Sequence, residues 1–168
     1  MTVQELQAAL DALDDGVLLK GAHPAGGRQF CVLEFESQVR GRSWSDTPIT
    51  LPDLRPLNDG PWSSNEVRTA ALLPVMAALW QWSTWTSKQR QQWTTSVVLD
   101  TVREIVSQLP GLPLTLRKDC QAITTLSGAA QAAVAAAESA GSVDLILQTA
   151  CTIWIRAARQ VEGPEQAS

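Results

Sequence analysis

The sequence predicts an all-α fold, a compact bundle-like array of about six helices in a chain of 168 residues. Three capping-box patterns precede apolar runs, each a Ser or Thr followed three positions later by Glu or Gln, at Thr2, Ser63 and Thr86. Apolar residues recur at the three- and four-residue spacing of helices in most segments. No segment shows the sustained alternation of apolar and polar residues that is typical of a half-buried strand.

The first part of the chain predicts two helices and a loop. The first helix begins after Thr2, carries leucines at positions 6, 10 and 13, and ends at 14–16. The glycine-rich stretch 20–29 predicts a loop, and 29–40 predicts a second helix that stops at Gly41. Residues 41–62 then form an irregular proline-rich segment, because each proline removes a backbone donor. A short helix near Pro52, ending at 58–60, is the only regular element expected there.

The second part predicts longer helices. One begins after Ser63, is kinked at Pro74, and buries a stripe formed by Val67, Ala71, Val75, Ala78 and Trp82. The next begins after Thr86 and ends at the "PGLP" of 110–113. An alanine-rich helix over 116–139 follows, and Gly141 ends it. The last helix begins after Ser142 and is predicted to bury Ile146, Leu147, Ala150 and Trp154.

Length and composition favour one helical domain over residues 1–161 and a flexible tail over 162–168. Apolar residues make up 45% of the chain and charged residues 18%, which argues against disorder. The net charge of −4 argues against nucleic acid as a partner. Three cysteines without C-x-x-C spacing, no basic leader and no long apolar run favour a cytoplasmic protein with no membrane partner. Cys120 and Cys151 are expected in the core.

The candidate site lies between Cys31 and Asp59. Glu34 follows Phe30 and Cys31 on the second helix, and a carboxylate placed there needs hydrogen-bond partners if it is buried. The interpretation favoured by the sequence is a structural latch, in which Glu34 holds the corner of the "GRSWSDTP" stretch to the helix. The expected donors are the Trp44 indole, the Ser45 hydroxyl, the amides of 45–47, and Arg40 or Arg42. Trp44 then seals the core, and Asp46 caps the turn before Pro48.

Three other interpretations of this segment stay open. As an enzyme, the chain would use Glu34 as a general base with Cys31 or Ser37 as the nucleophile. His23, the only histidine, lies eight residues before Cys31 in a segment that looks flexible, which argues against a thiolate nucleophile. A metal site would need His23 and Cys31 to meet distant partners such as Asp46, Cys120 or Cys151, so neither a metal nor a cofactor is predicted. The third interpretation is a small-ligand pocket lined by this motif.

A resemblance rests on Cys31 and Glu34, on Gly41 with Trp44-Ser45-Asp46 and Pro48, on Leu57-Asn58-Asp59, and on Arg68-Thr69. This C-x2-E, G-x2-W-S-D-x-P and L-N-D pattern resembles an uncharacterised family of small helical proteins from actinobacteria, related bacteria and their phages. The resemblance covers about residues 30–80 and implies a helical fold and a bacterial or phage setting, but no activity. Many members have His after the Asp and cysteines beyond the proline, where this chain has Thr47 and residues 49–51 without a thiol. That departure argues against metal or thiol chemistry.

The function predicted from these observations is a non-enzymatic helical interaction or scaffold module that contacts another protein or itself. The chain has seven tryptophans and no tyrosine, and the candidate interface residues are Trp80, Trp82, Trp85 and Trp93. One alternative is a small hydrolase or transferase with its site around Glu34 and Cys31. The other is a nucleic-acid-associated protein, which would gather on one face the arginines at positions 28, 40, 42, 55 and 68.

Overall fold

A computed structural model of the chain describes residues 1–13, 16–106, 125–140 and 143–162. The described residues form α-helices and no strand, which confirms the all-α prediction. The helices are α1 (Val3–Leu13), α2 (Val32–Val39), α3 (Arg55–Asn58), α4 (Asn65–Ala78), α5 (Ser87–Thr101), α6 (Leu126–Ala140) and α7 (Val143–Glu162). A 3-10 turn occupies Trp82–Thr84, and a π-helical turn over Val102–Val106 continues α5.

The chain divides into two compact units, Met1–Ser83 and Thr84–Ser168. The single domain predicted over 1–161 stays a prediction. The tail predicted from residue 162 begins at the last residue of α7, and the rest of it lies outside the described residues. The predicted "PGLP" turn, Cys120, and the Gly141 and Ser142 signals also fall outside them.

In the first unit, α1 packs against α4 and α2 contacts α3. The capping box at the start of α1 is confirmed, because Thr2 N donates to the Glu5 carboxylate at 2.7 Å and Glu5 N donates to Thr2 Oγ1 at 3.2 Å. Leu6 and Leu10 of this helix are fully buried. The helix is therefore fixed by a local cap at one end and by apolar packing along one face.

Two predictions about α4 are wrong. The N-cap is Ser64 and not Ser63, and its hydroxyl accepts from Val67 N at 3.3 Å. The helix also buries a neighbouring stripe, of which only Val75 belongs to the predicted one; the buried residues are Arg68, Thr69, Leu72, Leu73, Val75 and Met76. The physical reason is that α4 is apolar nearly all round, so periodicity selects no face, while Arg68 and Thr69 are buried by bonds to a distant loop.

In the second unit, α5, α6 and α7 all contact one another. The capping box of α5 is confirmed, since Thr86 N donates to Gln89 at 2.9 Å and Gln89 N donates back to Thr86 Oγ1 at 3.2 Å. The side chains predicted to be buried in the last helix are buried, namely Ile146, Leu147, Ala150 and Trp154. Five alanines of α6 are buried, and their small side chains allow the neighbouring helices to approach closely. The large side chains of α5 and α7 fill the centre.

Candidate functional site

The candidate site is built around α2, whose first six residues are all buried. All six residues from Val32 to Ser37 are buried, and three of them are polar: Glu34, Glu36 and Ser37. Gly41 ends the helix with a φ of +66°, a conformation that glycine adopts without strain. A buried polar group must be hydrogen-bonded or paired. The partners of these three side chains therefore define what the site can do.

Glu34 is satisfied by the loop before α2. Its Oε1 accepts from His23 N at 2.7 Å, while its Oε2 accepts from Cys31 N at 2.8 Å and lies 2.8 Å from His23 Nδ1. Only 1% of the Glu34 side chain is exposed. The prediction that Glu34 binds the corner at 44–46 is wrong. Its carboxylate oxygens contact His23 and Cys31 instead. The sequence analysis did not predict His23 as a partner of Glu34. One signal could have indicated this contact: His23 lies in a segment free of acidic residues, shortly before a glutamate that was expected to be buried.

The corner at residues 44–46 is held by other groups. The Trp44 indole donates to His23 O at 3.1 Å, and its ring lies 4.9 Å from that of Phe30. Ser37 Oγ donates to Ser45 O at 3.0 Å. The prediction that Asp46 caps the turn is wrong, because the cap is the Ser45 hydroxyl, which accepts from Thr47 N at 3.0 Å. The "GRSWSDTP" stretch therefore does form a corner, but it is fastened to Ser37 and to the loop of His23.

Glu36 is the second buried carboxylate of α2, and sequence reasoning missed it. It pairs with Arg40 and Arg42 and accepts from the Thr50 hydroxyl. One or other of these arginines was predicted as a donor to Glu34. They reach Glu36 instead because residues two apart on a helix point about 200° apart, so Glu34 and Glu36 lie on opposite sides. The i, i+4 spacing of Glu36 and Arg40 was the signal in the sequence.

Asn58 and Asp59 bind the loop between α1 and α2, which also contains His23. The fully buried Asn58 donates from Nδ2 to Leu19 O at 3.0 Å and accepts from Val32 N at 3.3 Å. Asp59 Oδ1 accepts from Gly21 N at 2.9 Å. The motif residues predicted from the sequence therefore do converge, and they converge on the backbone of the loop between α1 and α2.

Cys31 is poorly suited to nucleophilic chemistry. It is the N-cap of α2 and only 2% exposed. Burial raises the pKa of its thiol to about 12, so the thiol stays protonated at neutral pH. Cys151 is buried in the second unit, and burial raises its pKa to about 12 as well. Its predicted core position is confirmed.

The residues that a metal site or a basic face would need are placed as follows in the described part of the chain. Among the described residues, no group of three or more His, Cys, Asp or Glu side chains could hold a metal ion. Of the arginines needed for a basic face, Arg40 and Arg42 pair with Glu36, and Arg55 pairs with Asp53 at 2.7 Å. Arg68 is buried and donates to Leu18 O at 3.4 Å.

The four tryptophans proposed as an interface have different environments. The prediction is wrong for Trp93 and Trp85, which are 0% and 6% exposed, because both lie in the core of the second unit with ring centroids 6.5 Å apart. Trp80 is half-buried, with the Arg40 guanidinium 3.9 Å from its ring centroid, and Trp82 is half-buried as well. Only Trp80 and Trp82 remain candidates for an interface.

No protein-family model, curated protein or solved structure matches this chain. The resemblance to the family of small helical proteins therefore stays a prediction. None of the helices in the described ranges is both long enough and apolar enough to cross a membrane.

Proposed function

We propose that the chain is a non-enzymatic helical module that works by contacting another protein or a second copy of itself. The observation that carries this proposal is the state of Glu34, which is buried and accepts hydrogen bonds from the chain's own loop. A general base must reach a substrate proton, and both oxygens of this carboxylate are already engaged. Glu36 and Asn58 are engaged in the same way.

The exposed apolar side chains offer surfaces for contact. Leu145 is 66% exposed on α7, directly before the buried Ile146 and Leu147, and Ile49 is 63% exposed in the proline-rich segment. Leu99 of α5 is 46% exposed. Covering an exposed apolar side chain with a partner is favourable roughly in proportion to the apolar area removed from water. Leu145 is the side chain with which a partner would gain most.

The oligomeric state tests the proposal in its self-assembly form. We expect the average mass from light scattering to rise with concentration, and Leu145→Glu to abolish the rise, because a charge cannot be buried there unpaired. Gln160→Glu is the matched control, since it adds the same charge at an exposed position of the same helix, about four turns away from Leu145. A wild-type chain that stays monomeric at every concentration would show self-assembly to be wrong and leave contact with a different protein.

Glu34 variants test the alternative of a hydrolase or transferase. On the proposed function, Glu34→Ala leaves buried N–H groups without an acceptor and costs roughly 1–3 kcal/mol of unfolding free energy. Glu34→Gln keeps the shape and costs less. A turnover or ligand affinity that Glu34→Gln abolishes at unchanged melting temperature would contradict the proposed function and support the enzyme.

A further inference from the structure

The imidazole of His23 is held in one orientation by a buried carboxylate. Glu34 accepts from the backbone N–H groups of His23 and Cys31, and its Oε2 lies 2.8 Å from His23 Nδ1. Because carboxylate oxygens accept hydrogen bonds, the ring nitrogen that faces Glu34 is the donor of this contact. The lone pair of the neutral ring is then on Nε2.

Nε2 is not fully enclosed by the protein. The His23 side chain keeps 11% of its surface exposed, against 1% for Glu34. Nε2 forms no hydrogen bond with a described residue, and it is not among their fully enclosed nitrogen atoms that lack a partner. The ring is therefore clamped at Nδ1 and accessible at the other nitrogen, as in sites where a carboxylate orients a reactive histidine.

In sequence, the loop between α1 and α2 begins with Asp14 and Asp15 and carries two basic residues after them. Residues 16–33 contain Lys20 and Arg28 and no acidic residue, in a chain whose net charge is −4. Glu34 lies on the Nδ1 side of the ring, and Asp59 accepts from Gly21 N. Lys20 and Arg28 are both exposed. Arg28 Nε donates to Leu13 O at 3.3 Å, so its guanidinium lies at the end of α1, and the attraction that Lys20 and Arg28 exert on an anionic reagent is a long-range one.

We propose that His23 is a phosphoryl-acceptor site that reacts at Nε2 with small phosphoryl donors of the phosphoramidate or acyl phosphate class. The lone pair of Nε2 forms the N–P bond. The bond from phosphorus to the leaving group breaks, and its electron pair departs with that group, as ammonia from phosphoramidate or as a carboxylate from an acyl phosphate. The proton on Nδ1 stays between the ring and Glu34, which offsets the positive charge that develops on the imidazole. Glu34 is a positioning residue here.

The test treats the intact chain with potassium phosphoramidate and follows the mass of the protein. We expect one acid-labile phosphoryl group, assigned to Nε2 by phosphorus NMR. The assignment is direct because the chain has one histidine. The same chain unfolded in urea is the reference, and we expect the folded chain to react faster by about tenfold or more. A folded chain that reacts no faster than the unfolded chain, or that reacts at Nδ1, would overturn the proposal.

Two variants test whether Glu34 and the charge of the loop control the reaction of His23, or whether the ring reacts only because it is exposed. Glu34→Gln should slow the reaction and give a mixture of Nε2 and Nδ1 products, because nothing then fixes the proton on Nδ1. A purely structural role of Glu34 would leave the selectivity for Nε2 unchanged. Arg28→Ala should slow the reaction and weaken its salt dependence while the Nε2 selectivity is kept. This variant tests the proposal even if Glu34→Gln fails to fold, and a rate that neither salt nor Arg28→Ala changes would contradict the role of the loop charge.

Discussion

The two units of the molecule are stabilised by different interactions. Met1–Ser83 contains short helices and long loops that are joined by buried polar side chains, with Glu34, Glu36 and Asn58 at the centres. Thr84–Ser168 contains longer helices whose described core is made mainly of tryptophan, alanine and branched aliphatic side chains. Directional bonds specify one path for an irregular chain, whereas apolar burial stabilises in proportion to area. Loops therefore need the first kind of interaction, and long amphipathic helices can rely on the second.

The largest effect is expected from Trp154→Ala in the second unit. The fully buried indole packs edge-on against Trp93, with centroids 5.2 Å apart, and Trp93 Nε1 donates to Trp154 O at 3.2 Å. Removing the ring leaves a cavity that should cost about 3–5 kcal/mol of unfolding free energy. Urea denaturation measures this loss, and Thr152→Ala on the exposed face of α7 is the control. An unchanged midpoint would show that Trp154 is not a core residue.

Asn58→Ala should have the next largest effect, and it probes the first unit. The substitution removes the acceptor of Val32 N and the donor to Leu19 O, both from a fully buried side chain. We expect a loss of about 2–3 kcal/mol, because unsatisfied buried groups cost more than a net hydrogen bond contributes. Gln38→Ala, at an exposed position of α2, should change the denaturation midpoint little. Equal midpoints for both variants would contradict the role of polar bonds in this unit.

The stability of the protein at alkaline pH depends on one buried thiol in each unit, Cys31 and Cys151. Burial raises the pKa of Cys31 and of Cys151 from 9.0 to about 12. Above pH 9 the unfolded chain releases these protons and the folded chain retains them, so stability is full below pH 9 and is lost as pH rises towards 12. The expected slope is at most about 1.4 kcal/mol per pH unit for each thiol. Denaturation between pH 8 and about 10.5 measures it.

Cys31→Ala and Cys151→Ala should each reduce this slope by a similar amount. The chain has no tyrosine, so no phenol titrates in the same range. A slope that neither variant changes would show that the thiols are not protected by burial.

The smallest effect is expected from two helix caps, one in each unit. Ser64 Oγ accepts from Val67 N at 3.3 Å at the start of α4, and Thr86 Oγ1 accepts from Gln89 N at 3.2 Å at the start of α5. Ser64→Ala and Thr86→Ala should each cost about 1 kcal/mol, because local caps act independently of the core type. Thermal unfolding measures both. A much larger loss in only one unit would show that its cap also supports tertiary contacts.

Features predicted correctly from the sequence depend on neighbours within about four residues. The capping boxes at Thr2 and Thr86 pair residues three apart, and the buried face of α7 follows the 3.6-residue period. The helix stop at Gly41 belongs to the same group. The predictions for α4 failed because its apolar residues surround the helix, and two adjacent serines could each provide the cap.

The sequence by itself determined that the chain is helical, where several helices begin, which face of α7 is buried, and that polar motif residues lie near α2. Only the tertiary structure decided their partners. His23 is 11 residues from Glu34, and Asn58 is 39 residues from Leu19, so these bonds depend on how loops close in space. Several donors near Glu34 were chemically equivalent candidates. The choice among them is made by the direction in which each side chain leaves the helix, because a hydrogen bond requires both short distance and alignment.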